Sequence, residues 1–125
     1  LVREKGVGLI GKIPLDSGWL TGKYGAESHF SGVRSRWSEA DIARRASVVS
    51  SLDWLTEDGS ELACKAIAYV LSYDEIGCVI PGIRTLEHLR SNIEAATCTI
   101  TAGERERVES FWARFTEDGS KPLPW

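Results

Sequence analysis

The chain has 125 residues, 42% of them hydrophobic and 26% charged, with a formal net charge of −3. That balance is globular rather than disordered, and the length suits one domain rather than two. A net negative charge gives no general attraction to phosphate backbones, so nucleic acid is not expected as a main partner; no apolar run reaches membrane-spanning length and no signal or transit peptide begins the chain. The three cysteines, Cys64, Cys78 and Cys98, are widely spaced and form no CxxC. This predicts free thiols in a reducing, cytoplasmic setting and no zinc site. There is no methionine, and the chain opens on Leu1-Val2-Arg3-Glu4-Lys5, so a piece of a longer protein is expected.

In chain order, Leu1 to Lys5 reads as the tail of a helix. Residues 7–15, Val-Gly-Leu-Ile-Gly-Lys-Ile-Pro-Leu, form a short apolar run expected as a buried strand that Pro14 closes. The stretch 16–37 is rich in Gly and Ser without periodicity; a connection this long is functional or disordered. Ser38 is placed as a helix N-cap, with Glu39 and Asp41 in the first turn. Ile42, Ala46, Val49, Leu52 and Leu55 then make one apolar face, which Asp58-Gly59 ends. Ser60 is expected to cap a second helix with a stripe of Leu62, Ala63, Ala66, Ile67, Val70 and Leu71. Cys78-Val79-Ile80 reads as a short apolar strand stopped by Pro81-Gly82. Thr85 is expected to cap a helix with Leu86, Leu89, Ile93 and Ala96 inward. The last helix begins at Thr101 or Ala102, with Val108, Phe111, Trp112 and Phe115 inward. Residues 116–125 are a tail that the prolines keep from continuing the helix. Thr56-Glu57-Asp58-Gly59-Ser60 recurs as residues 116–120; shared helix-stop chemistry explains two copies without a repeat architecture.

Strands alternating with helices argue for an α/β fold with parallel strands. Two strands are not a self-sufficient sheet, and these are too apolar to face water, so something is expected to lie beside them.

Several motifs fail their context. Gly6-Val7-Gly8-Leu9-Ile10-Gly11 spells GxGxxG, but its glycines lie inside the strand and no long helix follows. Gly18-Trp19-Leu20-Thr21-Gly22-Lys23 is one residue short of a P-loop, with Tyr24 where Ser or Thr belongs. Asp74-Glu75 and Glu57-Asp58 read as solvated acids, and nothing marks His29 or His88 as catalytic.

Two segments, residues 13–24 (Ile-Pro-Leu-Asp-Ser-Gly-Trp-Leu-Thr-Gly-Lys-Tyr) and 79–93 (Val-Ile-Pro-Gly-Ile-Arg-Thr-Leu-Glu-His-Leu-Arg-Ser-Asn-Ile), together resemble the seventh-strand loop and eighth-strand cofactor segment of the aldo-keto reductase superfamily. The resemblance covers residues 1 to about 115. It implies the C-terminal part of a (β/α)8 TIM barrel: seventh strand and helix, eighth strand and helix, and a terminal helix. It also implies NADP(H) bound without a Rossmann domain, residues 16–37 folding over the cofactor, and a parent enzyme that reduces small carbonyl compounds to alcohols.

By the same resemblance, Pro14, Leu15, Asp16, Ser17 and Gly18 wrap the pyrophosphate. Lys23 helps hold the phosphates or is a solvated loop charge, and Arg34 or Arg36 adds a phosphate contact. Gly82 lets backbone approach the adenosine 2′-phosphate, Arg84 contacts that phosphate, and Asn92 reads the adenine amino group. His88 stands where relatives often carry Gln or Arg, and Ser91 where Glu is frequent. The family's Asp-Tyr-Lys-His catalytic set belongs to earlier strands; Tyr24, Tyr69, Tyr73, Lys12 and His29 match none of it. The chain alone is therefore expected to be inactive, its strands covered by the N-terminal barrel half or by self-association. A different reading is a non-enzymatic, nicotinamide-sensing or interaction subunit of the same fold. Trp19, Trp37 and Trp125 either line a pocket or pack.

Overall fold

The computed structural model describes residues 1–123. A single helical turn, α1 (Val2–Lys5), ends on left-handed Gly6 and leads into strand β1 (Leu9–Lys12). Two 3-10 segments, Asp16–Thr21 and Gly32–Arg36, punctuate the connection to α2 (Glu39–Ser50). A further 3-10 turn (Asp53–Thr56) precedes α3 (Leu62–Leu71). Strand β2 (Ile76–Ile80), α4 (Leu86–Ala95) and α5 (Ala102–Phe115) complete the order.

The strands pair in parallel, Leu9 beside Ile76 and Lys12 beside Ile80, with an irregularity between Leu9 and Ile10. Helix α3 packs on one face of this pair. A Cβ on Gly11 would lie 2.9 Å from Val70 Cγ1 and 3.1 Å from Val79 Cγ1, so only glycine lets the helix settle here. The other face carries Ile10, Cys78 and Ile80 by strand alternation. Ile10 is 63% exposed and Ile80 57%. The expected buried strands are therefore open on one side. The first is also shorter than residues 7–15, because Ile13 takes a positive φ of 56° and turns the chain.

The core is built around α2 rather than the sheet. Trp19, Trp37, Ile42 and Val49 form one cluster; Val48, Leu52 and Leu55 form another, against which α5 lays Val108, Phe111 and Phe115. The long loop is thus packed down by its tryptophans: Trp19 is 1% exposed. Trp125 lies outside the described residues.

The caps at Ser38 and Thr85 are as expected; the last helix begins at Ala102 with Thr101 as its N-cap, and capping boxes run from Ser38 to Asp41 and from Thr101 to Glu104. Four other expectations need correction. First, the helix from Ser38 stops at Ser50; Leu52 and Leu55 continue its apolar face from a 3-10 turn. Second, Glu61 rather than Ser60 stands at the α3 N-cap, without a side-chain cap bond, while the Ser60 N–H donates to Asp58 Oδ1 at 2.9 Å. Third, on α4 it is Ala95 that is buried, while Leu86 (73%) and Ile93 (60%) are exposed. On α5, Trp112 is likewise exposed. Fourth, Cys64 and Cys98 are joined as a disulfide, Cα atoms 5.9 Å apart, leaving Cys78 as the free thiol. Spacing along the chain hid this pair, since α3 and the end of α4 meet only in the fold. Among the described residues no helix is long and apolar enough to cross a membrane.

Candidate functional site

Parallel pairing sends both strands out at the same edge, Lys12 beside Ile80. Segments 13–18 and 81–85 therefore emerge side by side. This is the edge where open parallel sheets and barrels hold ligands.

The first segment is a tight, left-handed turn. Ile13, Asp16, Ser17 and Gly18 have φ of 56°, 42°, 57° and 97°. Non-glycine residues there cost roughly 1–2 kcal/mol each, so packing must enforce the shape. Gly18 N–H donates to Leu15 O at 2.8 Å and Asp16 N–H to Ile13 O at 3.0 Å. Buried Pro14 and Trp19 anchor the ends. Asp16 accepts from the guanidinium of Arg45, itself buried with its Cζ 4.7 Å from the Trp37 ring centre. That ion pair neutralises the one carboxylate in the turn. The Asp16 and Gly18 N–H groups are spent inside the turn, which leaves those of Leu15 and Ser17 as its candidate anion donors.

Lys23 and Arg34 converge on Tyr24 next to this turn. Arg34 Nη1 donates to Tyr24 Oη at 2.7 Å, and Lys23 Nζ stands 4.8 Å from the ring centre. A Cβ on Gly18 would come within 3.3 Å of Tyr24 Cε2 and 3.5 Å of Lys23 Cε, so the turn and the cations share one place. Burial pushes the Tyr24 phenol up, but Lys23 and Arg34 outweigh it and hold the pKa below its ordinary value of 10.0. Arg36 is held differently, on Val33 O and over the Trp37 ring.

The second segment is open. Gly82, Arg84 and His88 are exposed, and nothing lies within 4 Å of a Cβ on Gly82. Thr85 Oγ1 accepts from His88 N at 3.1 Å, starting α4 close to Arg84. Asn92 Nδ2 donates to Gly82 O at 3.4 Å, and Ser91 Oγ to Glu61 Oε2 at 3.5 Å. Two expected residues, Gly82 and Asn92, are thus in direct contact.

Reading along the chain missed Tyr24 and Arg45. The signal for Arg45 was its place on the face of Ile42, Ala46 and Val49, where an arginine must find a buried partner. Nothing local marked Tyr24 beyond its following Lys23. A cleft of about 850 Å³ between residues 21–26, α2 and the start of α3 is lined by Tyr24 but by none of the expected site residues. Asp53 and Glu61 on its wall have the wrong sign for phosphate. Tyr69, Tyr73 and Glu109 hydrogen-bond in a row, and burial raises the Tyr73 pKa. They sit where the chain enters β2, at the opposite edge. Among the described residues no group of three or more His, Cys, Asp or Glu could hold a metal ion.

A family model described as the aldo/keto reductase family matches residues 1–113. Comparison with curated proteins returned no match. Among solved structures, the glycerol dehydrogenase AKR11B4 from Gluconobacter oxydans aligns with a TM-score of 0.79 at 18% identity. The alignment covers 91% of this chain and 36% of that one, so this chain spans about a third of that protein's length. At that identity the likeness concerns the fold, an α/β arrangement like that of a barrel reductase. The match over residues 1–113 is the stronger finding: the chain belongs to the aldo/keto reductase family.

Proposed function

We propose that this chain is the cofactor-binding, C-terminal part of an NADP-dependent reductase that converts small carbonyl compounds to alcohols. The observation that carries the reading is the parallel register, which places the left-handed turn and the Arg84 segment at one strand edge. The residues suit such a cofactor. Pro14 has no N–H and those of Asp16 and Gly18 bond within the turn, so a pyrophosphate here would meet the N–H groups of Leu15 and Ser17, with Lys23 and Arg34 beside them. Arg84 is exposed next to the N-terminus of a ten-residue helix, a place that favours a phosphate monoester. Asn92 spends its amide N–H on Gly82, leaving Oδ1 to accept from an adenine amino group. His88 and Ser91 lie along the same helix. When bound, the cofactor supplies the hydride. These residues contribute binding and orientation, and proton transfer to the carbonyl belongs to the rest of the barrel.

The exposed Ile10 and Ile80 support the same reading from the other side, as a face that the remaining barrel strands cover. A cytoplasmic setting fits this reading only if the Cys64–Cys98 disulfide is cycled, since persistent disulfides are rare there.

The test is Arg84→Ala in the full protein, with cofactor affinity read by fluorescence titration. Loss of a charge-assisted bond should raise the NADPH dissociation constant about tenfold. NADH, which lacks the 2′-phosphate, should change by less than about twofold. Equal losses for both cofactors would overturn the assignment.

A further inference from the structure

We propose that Cys64 and Cys98 form a reversible dithiol–disulfide pair whose oxidation clamps α4, and with it the Gly82–Arg84 segment, in its binding position. The consequence for cofactor affinity rests on the function proposed above; the clamp itself does not.

Cys64 lies on α3 and Cys98 three residues past the end of α4. Their Cα separation of 5.9 Å lies within the ordinary span of a disulfide. Both are half-buried, so a small thiol or disulfide can reach them. The neighbouring residues act on the same junction: Lys65 Nζ donates to Thr99 O at 3.5 Å and pairs with Glu104 at 2.9 Å. Residues 64 and 65 of α3 thus hold the connector after α4.

The backbone of α4 lies close along α3, but few of its side chains are buried there. Leu86, Leu89 and Ile93 are exposed, and Ala95 is its one buried residue. Its polar ties, Ser91 to Glu61 and Asn92 to Gly82, are long at 3.5 and 3.4 Å. A helix with so few buried contacts opens locally at low cost unless it is anchored. The covalent bond supplies that anchor at its C-terminal end.

The chemistry balances by thiol–disulfide exchange with a glutathione-type disulfide. Two protein thiols lose two protons and two electrons, the Sγ–Sγ bond forms, and the external disulfide is reduced to two thiols. The reverse exchange regenerates the dithiol.

The experiment uses the full protein with Cys78→Ser, so that of the cysteines in these 125 residues only the pair remains, equilibrated in reduced and oxidised glutathione. Alkylation followed by mass measurement counts thiols. Hydrogen exchange reads the α4 amides, and titration reads NADPH affinity. Oxidation should remove both alkylatable thiols and slow exchange across residues 86–95. It should also tighten NADPH binding about fivefold, the low end of ordinary coupling between sites. Cys64→Ser and Cys98→Ser should each show the reduced values in either buffer. Thiols that never pair, or α4 exchange indifferent to their state, would overturn the clamp. If α4 exchange responds but NADPH binds neither form, the clamp stands and the cofactor reading falls. If NADPH binds both forms equally, the coupling is overturned.

Discussion

Lys65 is 4% exposed, with its ammonium between Asp58 at 2.7 Å and Glu104 at 2.9 Å. Asp58, then Glu104, hold the Lys65 pKa above 10.5 despite burial. In return Lys65 is the main cause of the Asp58 pKa falling from 3.8 to about 2. A depressed carboxylate contributes stability fully above its unfolded value and loses it as pH falls through the folded one. Glu104, held below its ordinary 4.5 by Thr101 and then Lys65, acts in the same sense, so the Tm should hold near neutral pH and decline as pH falls from about 4.5 toward 2. The raised lysine works in the opposite sense: its contribution is complete below 10.5 and is lost as pH rises through the folded value. Lys65→Met should lower the neutral Tm by roughly 5 °C or more and shrink the acid decline, as read by thermal melts across pH. An unchanged acid limb would show that Asp58 is held by Ser60 alone. At this scale the candidate site was partly legible. Asn92 stood out through the resemblance, and its amide N–H meets Gly82 O. Lys23 and Arg34 were visible as charges, but their meeting at Tyr24 depends on how the loop folds back.

Helix starts are local events, and α2 shows how far that goes. Ser38 Oγ accepts from Asp41 N–H while Asp41 Oδ2 accepts from Ser38 N–H at 3.0 Å. Ser38→Ala should cost about 1 kcal/mol, visible as a lower denaturant midpoint with an unchanged slope. A change below about 0.3 kcal/mol would mean that tertiary packing alone sets the start of the helix. Helix ends were harder to read, because Leu52 and Leu55 keep the apolar spacing after the α-helix has become a 3-10 turn. Burial of α4 was not legible at all. Its periodic Leu86, Leu89 and Ile93 describe a face to be covered, but periodicity does not say what covers it.

In the whole molecule the same limit appears as a parallel strand pair sheathed on one side by α3. Ile10 and Ile80 on the open face, and both free strand edges, form an apolar surface of the kind that drives association. The isolated 125-residue chain should elute from size exclusion as a dimer or larger. Ile10→Lys with Ile80→Lys should return it toward a monomer. A concentration-independent monomer of the unmodified chain would show that the open face is tolerated in water.

The pentapeptide Thr-Glu-Asp-Gly-Ser occurs twice and folds in two ways. Glu57 is right-handed at φ −62°, whereas Glu117 and Asp118 are left-handed at 48° and 53°. In both copies the glycine takes a positive φ. The sequence by itself determined what short-range chemistry controls: the element order and the side-chain caps at Ser38 and Thr85. The tertiary structure alone decided what depends on a distant partner. After α5, Arg44 on α2 holds Pro122 O at 2.9 Å; in the first copy Asp58 instead faces Lys65, close by in the chain. The pairing of Cys64 with Cys98, of Asp16 with Arg45, and of the two strand edges belongs to the same class. Each joins groups far apart in the chain, whose meeting depends on how the intervening helices pack.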